Sequence, residues 1–125
     1  MAFVPANNQL YRIVSGLNNK MVLDASQDKK HLNKLILYEW NNGSNQKFAI
    51  RALGANKYAF FCSTNNGTIE VPQSSTNKGA QIEVNQPNKA ANEMWELVPV
   101  DKAEWKGKHA YYFKSFCGLP IMLHN

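Results

Sequence analysis

Five side chains between residues 24 and 46 combine a carboxylate, two amides and two aromatic rings. They are Asp24, Tyr38, Trp40, Asn45 and Gln46. A carboxylate accepts hydrogen bonds, an amide both donates and accepts them, and an aromatic ring offers a flat apolar surface. This combination suits the non-covalent binding of a ring that carries hydroxyl groups on its rim and C–H groups on its faces.

The sequence offers no comparable set for catalysis or metal binding. The three histidines, His31, His109 and His124, fall at unrelated positions. Neither Cys62 nor Cys117 has a histidine nearby in the sequence that could activate it. A paired-histidine metal spacing, a Gly-rich phosphate loop and a Gly-x-Ser-x-Gly elbow are all absent from the sequence. We therefore expect a protein without enzymatic activity, bound metal or cofactor.

Composition and charge limit the classes of partner that we expect for this protein. The net charge is +5, but the basic residues are dispersed along the chain, and the basic stretch 102–108 includes Glu104. We therefore expect no dedicated nucleic-acid binding. No apolar run approaches the roughly 20 residues of a membrane helix, and residues 1–8 lack the basic leader and apolar segment of a signal peptide. These features predict no membrane span, and a protein that is cytoplasmic or released without a recognisable signal peptide. Two cysteines favour buried free thiols over a disulfide framework.

The sequence also repeats itself. A shift of 47 residues aligns identical and apolar positions without gaps, and a shift of 100 starts a third copy. The aligned residues include Tyr11 with Tyr58 and Tyr111, Asn41 with Asn88, Asn45 with Asn92, Leu37 with Val84, and Phe48 with Trp95. One domain over residues 1–125 is therefore expected to hold unit one at about 10–53, unit two at about 57–98 and a partial unit three at about 109–125.

Short strands are predicted within each unit, because alternating apolar residues are interrupted by Asn, Gly, Ser and Pro. The predicted strands are 10–15, 21–25, 34–40 and 47–53 in unit one, and 57–62, 68–71, 80–85 and 94–98 in unit two. The one helical candidate, 101–106, is too short to count as a helix. Four strands per unit favour an all-β fold, a β-trefoil with pseudo-threefold repeats, over a propeller with too few blades.

Two segments at equivalent places carry a family resemblance. Asn45-Gln46-Lys47-Phe48 and Asn92-Glu93-Met94-Trp95 are similar to the Gln-x-Trp motif of the ricin-type β-trefoil lectins. Met21-Val22-Leu23-Asp24-Ala25 resembles the Leu-Asp-Val segment of that family, and Leu35-Ile36-Leu37-Tyr38 with Asn41-Asn42-Gly43 resembles its aromatic strand and turn. The resemblance implies a carbohydrate-binding lectin whose partners are glycans or glycoproteins, with galactose or N-acetylgalactosamine as the sugar. Phe48 and Trp95 are expected in the core.

The resemblance implies a sugar site in unit one. It places Asp24 as the residue that binds hydroxyl groups, Tyr38 as the stacking aromatic, and Asn45 and Gln46 as the amides. Strand alternation turns Ile36, Tyr38 and Trp40 outwards. Ile36 departs from the family, which often has a polar residue there. Asp24 could instead be a turn residue that bonds its own backbone.

Units two and three have fewer of the residue types that a sugar site needs. Unit two has Asn85 in place of Tyr38, Glu93 in place of Gln46, and either Val71 or Glu70 in place of Asp24. Unit three has His124 at the Asp24 position. One site, in unit one, is therefore predicted.

Two further hypotheses stay open at this stage. In the first, the chain is a protein-interaction trefoil, a protease inhibitor or a scaffold, with a vestigial sugar pocket. The second concerns the third unit, which is short of strands and leaves an open barrel edge. Either the chain is a fragment, or the gap is closed by residues 1–8, by rearranged loops, or by a second subunit in a homo-oligomer.

Overall fold

The computed structural model describes residues 4–6, 9–72, 81–88, 90–105 and 109–116, which form nine β-strands. The strands are β1 (Leu10–Tyr11), β2 (Met21–Ala25), β3 (Leu35–Glu39), β4 (Phe48–Gly54), β5 (Lys57–Cys62), β6 (Thr68–Glu70), β7 (Glu83–Asn85), β8 (Trp95–Pro99) and β9 (Tyr111–Ser115). The helical segments of this described part are single 3-10 turns, and none of them has the length and apolar character of a membrane-crossing helix.

The strands follow a repeating pattern of barrel pair and hairpin. In unit one, β1 pairs with β4, and β2 and β3 form an antiparallel hairpin. In unit two, β5 pairs with β8, and β6 and β7 form the hairpin. The barrel strands continue from one unit to the next, because β4 pairs with β5 and β8 pairs with β9. This is the β-trefoil arrangement, which confirms the predicted all-β fold class.

The first strand is shorter than predicted. Residues 10–15 were expected to form one strand, but β1 ends at Tyr11. The chain then leaves β4 and turns to the hairpin, where Leu23 N donates to the carbonyl of Ile13 and Ser15 N donates to the carbonyl of Met21, both at 2.9 Å. Residues 10–15 therefore bond to two different strands, first to β4 and then to β2. A sequence pattern does not show where the change of partner occurs. The helical candidate at 101–106 is a 3-10 turn over Ala103–Trp105.

The core is built from the apolar faces of both units. Phe48 and Trp95 are fully buried, as the sequence predicted, and Phe60 stacks on Phe113 with ring centroids 4.9 Å apart. Burial of apolar side chains such as these is the dominant favourable contribution to folding. Cys62 is a buried free thiol. Cys117 lies outside the described residues.

Two barrel strands have one strand partner each among the residues that the structure describes. Within the described ranges, β1 pairs with β4 alone and β9 with β8 alone. A mainly apolar cavity of about 550 Å³ is lined by residues of both strands and by Leu23, Leu37, Ile50 and Phe60. Residues 117–125, the end of the predicted partial unit three, lie outside the described part of the chain. Completion of the barrel by a second subunit stays a prediction.

Candidate functional site

Asp24 lies in the middle of β2, opposite Ile36 of β3. Its side chain is only 4% exposed, in a strand whose neighbouring residues Val22, Leu23 and Ala25 are also buried. A buried carboxylate requires hydrogen-bond donors, because it has lost those of water. The interpretation of Asp24 as a turn residue is therefore wrong, and its partners must come from another part of the chain.

Those partners are the two predicted amides. Asn45 Nδ2 donates to Asp24 Oδ1 at 3.0 Å, and Gln46 Nε2 donates to Asp24 Oδ2 at 2.9 Å. Asn45 Nδ2 also lies 3.2 Å from the carbonyl oxygen of Ala25. The amides come from the 3-10 turn Ser44–Gln46, which connects β3 to β4. The structure thus brings together three of the five residues singled out from the sequence.

Gln46 is a scaffold residue, because its side chain is 0% exposed. Beyond Asp24, its Nε2 donates to the carbonyl of Glu39 at 2.8 Å, and its Oε1 accepts from Asn41 N at 2.8 Å. Both polar ends of the amide are therefore bonded to protein. Gln46 orients Asp24 and fixes the end of β3, and it presents no surface to a ligand.

The turn before Gln46 needs a glycine for steric reasons. Asn41 Oδ1 accepts from Gly43 N at 2.9 Å, which closes the turn. A Cβ atom at Gly43 would lie 2.6 Å from Asn45 Oδ1 and 2.9 Å from Asn41 Oδ1. Any larger residue would displace Asn45, so Gly43 helps to set the position of the amide on Asp24.

The two predicted aromatic residues have different environments. Tyr38 pairs with Val22 and is therefore a diagonal neighbour of Asp24 on the same face of the hairpin, and it is 54% exposed. Trp40 is half-buried, and the guanidinium carbon of Arg12 lies 4.9 Å from its ring centroid. Tyr38 is an open platform beside Asp24, whereas the ring of Trp40 already holds a cation.

Arg12 was not among the predicted site residues. Alternation within the predicted strand 10–15 turns Arg12 to the side opposite Tyr11 and Ile13, and that pattern could have indicated it. Its contact with Trp40 joins positions far apart in the sequence.

Unit two keeps the buried polar scaffold. Asn92 Nδ2 donates to Glu70 Oε2 at 2.7 Å and to the carbonyl of Val71 at 3.1 Å, and Asn88 N donates to Glu93 Oε2 at 2.9 Å. These bonds match those of Asn45 and of Asn41 in unit one. Glu70 therefore takes the place of Asp24, and the alternative assignment to Val71 is wrong.

The exposed part of the unit-two hairpin differs from that of unit one. Asn85 pairs with Thr68 and occupies the position of Tyr38. Unit two thus has the carboxylate and the amide but no aromatic platform at that position. Among the described residues, no group of three or more His, Cys, Asp or Glu side chains could hold a metal ion.

Replacing Gln46 with leucine is expected to lower the free energy of unfolding by about 2 to 3 kcal/mol. Leucine keeps much of the side-chain volume, but the amide of Asn41 and the carbonyl of Glu39 then lose their buried partner. Urea denaturation of the two proteins measures this difference. A loss below about 0.5 kcal/mol would show that these hydrogen bonds contribute little.

The fold is a β-trefoil. Each of its two described hairpins has a carboxylate tied to the amide of a following turn, and an exposed aromatic residue lies beside one of these carboxylates. The model of the ricin-type beta-trefoil lectin domain-like family matches residues 2–84. The chain belongs to this family.

Solved structures show the same fold. The designed threefold-symmetric protein ThreeFoil has a TM-score of 0.74 at 20% identity, over 86% of this chain and 73% of that one. The Polyporus squamosus lectin bound to Neu5Aca2-6Galb1-4GlcNAc has a TM-score of 0.73 at 16% identity, over 93% of this chain. The Macrolepiota procera ricin B-like lectin in complex with lactose has a TM-score of 0.62 at 17% identity, over 79% of this chain and 65% of that one.

The lengths of these proteins differ. This chain spans 44% of the Polyporus squamosus lectin chain. None of the curated proteins matches the sequence significantly.

Proposed function

We propose that this protein is a non-catalytic carbohydrate-binding lectin that holds a galactose- or N-acetylgalactosamine-type sugar at unit one. Membership in a lectin-domain family supports carbohydrate binding in general. The observation that carries the proposed site is the exposed Tyr38 ring diagonal to Asp24, whose carboxylate is fixed by Asn45 and Gln46.

The geometry suits the two sides of a sugar ring. Each carboxylate oxygen of Asp24 accepts one bond from an amide. A carboxylate has lone pairs for further bonds, and a sugar hydroxyl group would reach Asp24 through the 4% of the residue that is exposed. Tyr38 offers its ring to the C–H face of the same sugar. Because Asn45 and Gln46 hold the carboxylate in place before any ligand arrives, binding costs little side-chain entropy.

The five residues therefore have different roles in the proposed site. Asp24 and Tyr38 contact the sugar, and Asn45 lies at the edge of the sugar. Gln46 is buried and acts only by holding the carboxylate of Asp24 in place. Trp40 acts through Arg12, which covers its ring. Two of the lectins with this fold were solved with lactose or with Neu5Aca2-6Galb1-4GlcNAc, and both ligands contain galactose, which supports a galactoside as the ligand.

Titration calorimetry with lactose and with methyl α-glucoside tests this proposal. We expect lactose to bind with a weak, millimolar-range Kd and the glucoside to bind less well. Tyr38→Ala is expected to weaken lactose binding about tenfold, since loss of the stacked ring removes about 1.4 kcal/mol. The matched control is Asn85→Ala, which changes the equivalent position of unit two.

Two outcomes would overturn the proposal. One is the absence of any galactoside binding by the unmodified protein. The other is equal lactose affinity for Tyr38→Ala and Asn85→Ala, because the sugar would then be bound elsewhere.

A further inference from the structure

A second surface cavity, of about 490 Å³, adjoins the proposed sugar site. Val22 lines it and is the direct strand partner of Tyr38. Glu39 and Trp40, which follow Tyr38 in the chain, line it as well. The cavity therefore lies next to Tyr38 in the hairpin, although neither Tyr38 nor Asp24 lines it.

The cavity carries two positive side chains. Arg12 and Lys20 line it together with Asn19, and all three residues are exposed. Within the described part of the chain, neither cation forms an ion pair, and the guanidinium of Arg12 lies over Trp40 instead. Their hydrogen-bond donors are available to a ligand.

Trp40 fixes the geometry of Arg12. A guanidinium group held over an aromatic ring keeps its N–H edges free, and those edges match the two oxygens of a carboxylate or a sulfate. A restrained arginine also loses less conformational entropy on binding than a mobile one.

Glu39 is the opposing charge at this surface. Because it pairs with Met21, its side chain belongs to the face of β3 opposite that of Tyr38 and Trp40. Two cations against one carboxylate leave a net positive charge around the cavity.

We infer that this cavity is a subsite for the acidic group of a glycan, with Arg12 on Trp40 as its main anchor and Lys20 as a second cation. The inference rests on the proposed function, because the neutral sugar of the same glycan would lie at Asp24 and Tyr38. A carboxylate, as in a sialic acid, and a sulfate ester share the required chemistry.

Titration of the whole chain with lactose, sialyllactose and 3′-sulfated lactose tests the subsite. At low salt, we expect at least one acidic glycan to bind about fivefold more tightly than lactose, and we expect 0.5 M NaCl to reduce this preference. The sialyl and sulfate arms identify which acidic group fits. The ratio of acidic to neutral affinity should fall to about one in Arg12→Gln and decrease in Lys20→Gln.

Lys29→Gln is the matched control, since it removes one positive charge from an exposed residue that does not line the cavity. This variant should keep the full preference. Equal binding of lactose and both acidic glycans would overturn the subsite and leave the proposed function standing. An unchanged preference in Arg12→Gln would also overturn the subsite. If no glycan binds, both proposals fail.

Discussion

Replacing Trp95 with alanine is expected to lower the free energy of unfolding by about 4 kcal/mol. Trp95 is 0% exposed, and its ring packs against Phe113 of β9 with centroids 6.3 Å apart. Its Nε1 also donates to the carbonyl of Ile69 at 2.9 Å. The substitution therefore leaves a large cavity and an unpaired carbonyl in the core. Because small domains are stable by about 5 to 15 kcal/mol, much of the stability would be lost.

Trp95→Phe separates the two contributions. Phenylalanine keeps an aromatic ring in the core and removes the Nε1 donor, so we expect a loss of about 2 kcal/mol. Urea denaturation followed by circular dichroism measures both variants. If Trp95→Ala cost no more than Trp95→Phe, filling of the core by this ring would not be a main source of stability.

Asp24→Ala is expected to weaken lactose binding by at least about 30-fold, which is about 2 kcal/mol and lies within the range for the loss of one hydrogen bond to a charged group. The same change also removes a buried acceptor from Asn45 and Gln46. A loss of stability of about 2 kcal/mol should accompany it. Calorimetry must therefore be carried out on protein shown by circular dichroism to be folded.

Glu70→Ala is the matched control for this loss of stability. Glu70 accepts from Asn92 as Asp24 accepts from Asn45, so its removal should destabilise the domain by a similar amount. It lies in unit two, and we expect lactose affinity to stay within about twofold of the unmodified protein. If both variants weakened lactose binding equally, the effect would come from destabilisation and not from a contact with the sugar.

The periodic pattern of the sequence was sufficient to predict the fold. Residues 57–62 were predicted as a strand and form β5 with the same bounds, because a short run rich in aromatic residues is flanked there by turn residues on both sides. Phe48 and Trp95 were placed correctly in the core because large aromatic rings contribute a large apolar area when they are buried. These features depend on local pattern and on hydrophobicity, which one sequence contains in full.

The details of the site depended on tertiary contacts and were harder to predict. A constant shift of 47 residues pairs Asp24 with Val71, whereas the hydrogen bonds of Asn92 show that Glu70 is equivalent. A slip of one residue in the hairpin is invisible to a comparison at fixed spacing. The complete burial of Gln46 was not predicted, since an amide in a polar turn usually faces solvent.

The carboxylate and amide pairs of the two units have a consequence for how this domain can evolve. Glu70 and Asn92 keep their buried bond although Asn85 has replaced the aromatic residue. Substitution of Asp24 or Glu70 would break a buried bond, whereas substitution at the hairpin positions of Tyr38 and Asn85 leaves both bonds intact. Those hairpin positions can therefore vary while each unit keeps its place in the barrel.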